Sequence, residues 1–453
     1  HMAQPLNIEK NSTRHLKQRK RNVIAYFESK LDEFIKKSPE SEPIEKSKVF
    51  NQDMSALLKN SEFNQQRIKL IYADPPYTDM QYSRYYHLLN VAAKYDYPEP
   101  TISRGKFTKG LYTEGRNQSD LSKKSTAKGR LEELFNYCHE NGVVLALSYA
   151  YPKDESNQKT DRYTVSIEEL VDIAKRVFGN KRVHIELKDY QHANNRNSSA
   201  KEVFEYLILC GQEVHKSQYD LIELKNEIKS LTPTSKNPVY NTHLYWSQKS
   251  FNVIDSLISH LSSENDIVFD PFMGSGVTVL EAVQGNMNRI GIGCDVNEMS
   301  KFITSNILTD IPHSDLNQLF SNLENKLNDL SHYYETKCDN CGGIGITSKV
   351  VFDKPERTTN SFSIKAISYT CPNCKKRVKE PDEDDYSKFS TVENDRFVPN
   401  VQLIQNSKIA VGASDRISDI FTPRNFSVLN EIVEYIQATD RDEDRNVLNY
   451  LLM

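Results

Sequence analysis

Apolar residues along this chain fall into short runs, and between them lie stretches whose apolar positions repeat with helical spacing. Ile68 to Ala73, Val143 to Tyr149, Arg182 to Leu187, Val203 to Leu209, Asp266 to Asp270 and Ile290 to Cys294 read as strands. Ile167 to Val177, Phe251 to Leu261 and Val277 to Val283 read as helices. Continuously apolar strands alternating with helices predict an α/β domain around a mostly parallel sheet. Near the N-terminus an amphipathic helix carries the stripe Val23, Phe27, Leu31, Phe34 and Ile35, which needs a partner surface. Leu316 to Tyr334 and Arg424 to Gln437 predict further helices, and Phe397 to Val411 short strands.

Two of the strands end in polar motifs. After Ile68 to Ala73 comes Asp74-Pro75-Pro76-Tyr77, which sets hydrogen-bond acceptors beside an aromatic face. An amino group conjugated to a base ring is a poor nucleophile, so methylating it requires acceptors that draw its lone pair out of the ring. Asp74 and the Pro75 carbonyl offer them, the two prolines stiffen the turn, and Tyr77 offers a stacking surface for an extruded base. A strand merely terminated by proline is the bland alternative.

After the strand Asp266 to Asp270 comes Pro271-Phe272-Met273-Gly274-Ser275-Gly276, then the helix Val277 to Val283 and the strand Ile290 to Cys294, closed by Asp295. A glycine loop between strand and helix, with an acid about 20 residues on, is the nucleotide-binding arrangement. The third glycine of the dinucleotide pattern is missing, so S-adenosylmethionine fits better than NAD. Its carboxylate is expected near the amides of Gly274 to Gly276 at the helix N-terminus, and its ribose at Asp295. A glycine turn serving only strand–helix packing is the alternative.

In this order the two motifs resemble the amino-group DNA methyltransferases that make N6-methyladenine or N4-methylcytosine, in the permuted subgroup that places DPPY before FxGxG. The resemblance implies a Rossmann-like, seven-stranded α/β methyltransferase fold. It implies catalytic roles for Asp74, Pro75, Pro76 and Tyr77, and cofactor binding by Asp270, Phe272, Gly274, Ser275, Gly276 and Asp295. Ser247-Gln248-Lys249-Ser250 stands where relatives carry Gln-Lys-Pro; Ser250 departs from that pattern, and Lys249 is given no role. Gln81-Tyr82, Tyr86-His87-Leu88-Leu89 and Tyr95-Asp96 resemble the stretch after DPPY in Dam-type methylases, which favours adenine over cytosine. In relatives the loop matching Tyr190 to Asn197 helps hold the base, which nominates Tyr190.

Four of seven cysteines form two CxxC knuckles, Cys338/Cys341 and Cys371/Cys374, with a strand-prone segment between them. That spacing predicts a zinc ribbon with a structural ion; two redox dithiols are the rival reading. Cys138, Cys210 and Cys294 sit on apolar elements and read as core thiols.

The expected organisation is an N-terminal helical region (1–60), a catalytic domain (61–330), the ribbon (331–380), and a C-terminal recognition or interaction region (381–453) beginning at an acidic linker, Glu380 to Asp385. Double-stranded DNA is the expected partner; a second copy or a restriction or defence subunit is also open. A non-catalytic DNA-binding subunit is the competing class.

A net charge of −4 over 453 residues neither requires nor excludes DNA. Local cations are more telling: Arg14 to Arg21 and the polar segment Arg104 to Lys128, read as a surface loop, could approach phosphates. No run approaches the ~20 apolar residues of a membrane span. His1-Met2 reads as a cloning scar, and a cytoplasmic location is the default.

Overall fold

The computed structural model describes residues 22–25, 28–29, 47–81, 101–103, 105–107, 118–152, 162–190, 203–211, 221–234, 239–241, 243, 245, 248–284, 288–308, 311–352, 364–390 and 421–452. The aromatic segment 82–89, the loop 191–197 and the strands expected over 397–411 lie outside them. The chain divides into two compact units, one of residues 39–99 and 112–310, the other of residues 1–38, 100–111 and 311–453.

The first unit is built on a seven-stranded sheet. Its strands are β1 (Lys48–Phe50), β2 (Ile68–Ala73), β5 (Val144–Pro152), β6 (Val183–Tyr190), β7 (Val203–Cys210), β8 (Ile267–Asp270) and β9 (Ile290–Cys294). β3 (Ile102–Ser103) and β4 (Lys106–Phe107) form a separate hairpin in the second unit. The sheet order is β1-β9-β8-β2-β5-β7-β6. Only β7 runs against its neighbours; the remaining pairs are parallel. The expected N-terminal region 1–60 therefore contributes a sheet strand, β1, and the short helix Met54–Leu58.

Both faces of the sheet are covered, as apolar runs in strands require. Along β2, Ile71 and Ala73 pack on the face of the helices Lys124–Glu140 and Ile167–Phe178, while Leu70 and Tyr72 pack on the face of Phe251–Leu261 and Val277–Val283. The helix Ile167–Phe178 starts with a Ser166/Glu169 capping box and stops at Gly179. Cys138, Cys210 and Cys294 are buried, as expected of core thiols. The basic segment Arg104 to Lys128 is not a loop throughout. From Lys124 it is helical, and Lys123 and Lys128 are paired with Asp120 and Glu169.

The topology fixes where a ligand can sit. β2 and β8 are adjacent parallel strands, but the chain continues from β2 through β5 to one side and from β8 through β9 to the other. Such a reversal opens a crevice beyond the carboxyl ends of the strands.

The second unit holds a four-stranded antiparallel sheet in chain order: β10 (Glu335–Lys337), β11 (Ile344–Phe352), β12 (Ile364–Cys371) and β13 (Lys375–Lys379). The acidic stretch expected as a linker instead belongs to this fold. The Lys379 side chain, only 6% exposed, lies 2.7 Å from both Asp382 and Asp385, and Asp385 accepts from Thr336. The helix that follows, Glu383–Ser390, adds Phe389 to the ribbon's core. The reason is desolvation: a buried ammonium needs carboxylates beside it, which this acidic run supplies.

Helix Pro423–Gln437 matches the expected one, and Arg424 lies over the Tyr334 ring at 4.5 Å. Of the N-terminal stripe only Val23 lies among the described residues, and it is half-buried; its neighbour Ile24, outside the expected stripe, is the buried one, and Asn22 donates to the Thr347 carbonyl. Among the described residues no helix is long and apolar enough to cross a membrane.

Candidate active site

Asp74 to Tyr77 follow β2 directly, and Pro271 to Gly276 follow β8, so both motifs occupy the crevice at the strand reversal. The sequence predicts the two motifs but not their adjacency, which comes from the β2–β8 pairing. Pro75 is buried and Asp74, Pro76 and Tyr77 are half-buried. Thr164 N–H donates to the Tyr77 carbonyl at 3.1 Å, and Asp79 N–H to the Arg162 carbonyl at 2.8 Å, which pins the turn to the segment after β5. Tyr77 lies nearly parallel to Tyr163, with centroids 6.0 Å apart at 19°, and edge-on to Tyr149. These contacts hold the ring of Tyr77 in place without enclosing it.

Lys249, which the sequence leaves without a role, pairs with Asp74 and brings Glu205 and Ser148 beside it. Lys249 Nζ sits 3.1 Å from Asp74 Oδ1, 2.8 Å from Glu205 Oε1 and 3.3 Å from Ser148 Oγ. Ser148 also donates to Glu205. Ser250 adopts φ −74° and ψ 115°, a backbone that proline shares, so its departure from the family pattern leaves the approach of Lys249 intact. A polar signal was present in the sequence: Glu205 and Ser148 interrupt otherwise apolar strands.

Electrostatics follow from burial. Desolvation pushes the Asp74 carboxyl up to about 6, against the pull of Lys249 and with a further push from Glu205. Burial works against the Lys249 ammonium, but Asp74 and Glu205 outweigh it and hold the amine well above its ordinary range. Asp270 is raised to about 7 by burial, with Asp74 and Asp295 adding to the rise. Burial lifts Asp295 to about 6 against the amides of Asn297 and Gly274. Three carboxyl groups thus end three neighbouring strands.

The glycine loop departs from one expectation. Gly274 N–H donates to Asp295 Oδ2 at 3.0 Å and Gly276 N–H to the Met273 carbonyl at 2.7 Å, so two of the three amides expected to meet a carboxylate are already used. The helix they precede is only seven residues long, which weakens any dipole argument. Instead, the hydroxyls of Ser275 and Thr304 are buried beside the turn without a hydrogen-bond partner. Phe272 N–H donates to Asp270 Oδ1, and Asn297 N–H to Asp295 Oδ1. A carboxylate has about four lone-pair sites, and the amides of Gly274 and Asn297 with the Ser300 hydroxyl take three, so Asp295 retains about one acceptor for a ribose hydroxyl. Orphaned hydroxyls together with carboxyl groups fit a polar ligand carrying positive charge, as S-adenosylmethionine does.

Gly276 is irreplaceable on two counts. Its φ is +79°, and a Cβ there would meet Thr304 Oγ1 at 2.4 Å and Cγ2 at 2.5 Å. Gly276→Ala should destabilise the protein by about 1–3 kcal/mol, the usual cost of a non-glycine residue in this region, and weaken cofactor binding. Thermal unfolding and cofactor titration measure both; an unchanged Tm contradicts the clash.

In the second unit the four predicted cysteines come together, with every Sγ within 4.8 Å of the others. Zn–S bonds of ~2.3 Å in a tetrahedron place sulfurs about 3.8 Å apart. Cys341 and Cys371 Sγ are 3.6 Å apart, far beyond the ~2.05 Å of a disulfide. The Tyr369 hydroxyl, donating to Cys338 Sγ at 3.3 Å, draws that thiol down to about 6, towards the thiolate that metals bind. Asn340 donates to Cys374 Sγ. The donor set fits a closed structural zinc site.

A family model described as DNA methylase matches residues 68–304, just over half of the chain. A second, described as D12 class N6 adenine-specific DNA methyltransferase, matches residues 249–418. Among curated proteins, modification methylase LlaI of Lactococcus lactis subsp. lactis is 31% identical over 155 residues, covering 34% of this chain and 21% of that protein. The chain thus aligns with about a fifth of the length of this relative.

Among solved structures, the M1.HpyAVI–SAM complex aligns at 17% identity with TM-score 0.33, over 58% of this chain and 98% of that one. PvuII DNA methyltransferase (cytosine-N4-specific) aligns at 10% identity with TM-score 0.37, over 64% and 96%. Scores of this size have no bearing on the chemistry.

Proposed function

Because the chain belongs to the DNA methylase family whose model its residues 68–304 match, we propose that it transfers a methyl group from S-adenosylmethionine to the N6 amino group of adenine in double-stranded DNA. The observation that carries this reading is the adjacency of Asp74 and the glycine turn at the ends of hydrogen-bonded strands β2 and β8. The D12 class match over residues 249–418 supports adenine over cytosine.

The residues divide the work by chemistry. Asp74 and the Pro75 carbonyl accept the amino hydrogens and localise the lone pair on nitrogen. Tyr77, held by Tyr163 and Tyr149, stacks the extruded base. Asp295 would hold the ribose of the cofactor, and Asp270, Phe272 and the turn Gly274 to Gly276 would line the place of its methionine end. When bound, S-adenosylmethionine supplies an electrophilic methyl group. Holding nitrogen and methyl carbon in line is the main catalytic resource, worth about 7–11 kcal/mol in favourable cases. No general base is required, since the methylated nitrogen can release its proton after transfer. In the second unit Cys338, Cys341, Cys371 and Cys374 would hold a structural zinc ion, which would supply the ribbon's folding energy.

Ionised, Asp74 is acceptor-only and the stronger partner for the amino group; protonated, it keeps less acceptor capacity and gains a competing donor. Its raised carboxyl predicts that transfer fades as pH falls through about 6. The substrate class is tested by labelled methyl transfer to duplex DNA in the presence of RNA of the same sequence. Label is expected in DNA alone; equal label in RNA contradicts the reading.

A further inference from the structure

Asp74 shares its surroundings with a second carboxylate, and a single ammonium stands between them. Lys249 comes from the segment entering the helix Phe251–Leu261, Asp74 from the end of β2 and Glu205 from β7, so three separate elements contribute to the cluster. Their side chains are 29%, 20% and 23% exposed, well shielded for charged groups. Ionised groups so placed are kept only where partners compensate for lost water. Among the described residues, the titratable groups facing Asp74 are Lys249, Glu205, Tyr72 on its own strand, and Asp270 on β8.

Resting on the methyl-transfer reading, we propose that Lys249 is a positioning residue for Asp74, and that Glu205 tempers it. Together they fix which carboxylate oxygen faces the base and at what pH the group becomes an anionic, acceptor-only partner. The geometry assigns the first role. Asp74 Oδ1 faces the ammonium, which leaves Oδ2 to receive the amino hydrogen of the base.

The second role follows from the signs of the charges. Lys249 favours the Asp74 anion, whereas Glu205 disfavours it both by direct repulsion and by sharing the ammonium. With Lys249 neutralised, desolvation and Glu205 act on Asp74 unopposed, so a proton stays on Asp74 to higher pH. With Glu205 neutralised, the ammonium acts on Asp74 alone and the proton leaves at lower pH. A cluster without a role in transfer would shift the Asp74 midpoint and leave the acid limb of kcat where it was.

The test is a carbon-13 titration of aspartate-labelled protein, with the Asp74 signal assigned by Asp74→Asn, run beside the pH profile of methyl transfer. Lys249→Met should move the Asp74 midpoint up by about 1–3 pH units, the effect typical of an opposite charge within ~4–6 Å. Glu205→Gln should move it down, and Lys249→Arg should restore much of the wild-type midpoint. The acid limb of kcat is expected to follow the midpoint in every variant.

Glu205→Gln keeps the side-chain volume, so it decides the matter even where Lys249→Met fails to fold. Midpoints that stay at the wild-type value in Glu205→Gln and Lys249→Met, or shift in the same direction, overturn the proposal. Shifts as expected in a wild-type protein that transfers no methyl group locate the failure in the methyl-transfer reading, and the positioning role falls with it.

Discussion

Asp74→Ala is expected to lower methyl transfer by about 10²–10³-fold, the size of effect seen when one preorganised polar partner is removed from a reacting centre, roughly 2.7–4 kcal/mol. The effect should appear in kcat more than in KM, because the acceptor matters most as the amino nitrogen gives up its conjugation with the ring. Folding should survive, since Asp74 contributes to no apolar cluster. Its loss does leave Lys249 with Glu205 as its remaining carboxylate. Steady-state kinetics with labelled cofactor, alongside a thermal melt, check the claim. Near-normal turnover in a folded variant would remove Asp74 from the mechanism.

The second large effect concerns the ribbon. Cys371→Ser, or a strong chelator, should unfold β10 to β13 together with the helix Glu383–Ser390. The small apolar cluster there includes Cys338 and Cys371 and has few large members besides Tyr369 and Phe389. Structural zinc supplies about 10–16 kcal/mol of apparent binding free energy in small zinc-binding peptides, more than so small a core provides. Metal analysis should give one zinc per chain in the wild type. Limited proteolysis should then cut the variant within 335–352 and 364–390, where the wild type resists. A metal-free protein with unchanged resistance and Tm would return the four cysteines to redox chemistry.

Much of the architecture could be read from the sequence because apolar strands and periodic helices announce themselves. Ile68–Ala73, Phe251–Leu261 and Val277–Val283 occur with the expected bounds. The mixed orientation of β7 could not be read, since hydrophobicity does not encode direction. The acidic run after the ribbon differs from expectation for a related reason. Glu380 to Asp385 has the composition of a solvated linker, and only the burial of Lys379, a tertiary fact, turns it into a counter-charge.

At the site, local motifs revealed the residues that stand together in sequence. Asp74 to Tyr77 and Gly274 to Gly276 needed only their own spacing. Lys249 and Glu205 lie far from Asp74 along the chain, and the three come from different elements, so no local pattern could pair them. The glycine loop shows the opposite limit: its residues were legible, but its internal hydrogen bonds to Asp295 and Met273 were not, and they redirect attention to the hydroxyls of Ser275 and Thr304.

The central claim is that the crevice between β2 and β8 methylates the amino group of adenine. It is tested most directly by incubating the wild-type protein with unmodified duplex DNA and S-adenosylmethionine, digesting the DNA to nucleosides and identifying the product by mass spectrometry. N6-methyladenosine, as the deoxynucleoside, is the predicted product. N4-methylcytosine in its place, or no methylated nucleoside from a folded, cofactor-binding protein, would contradict the account.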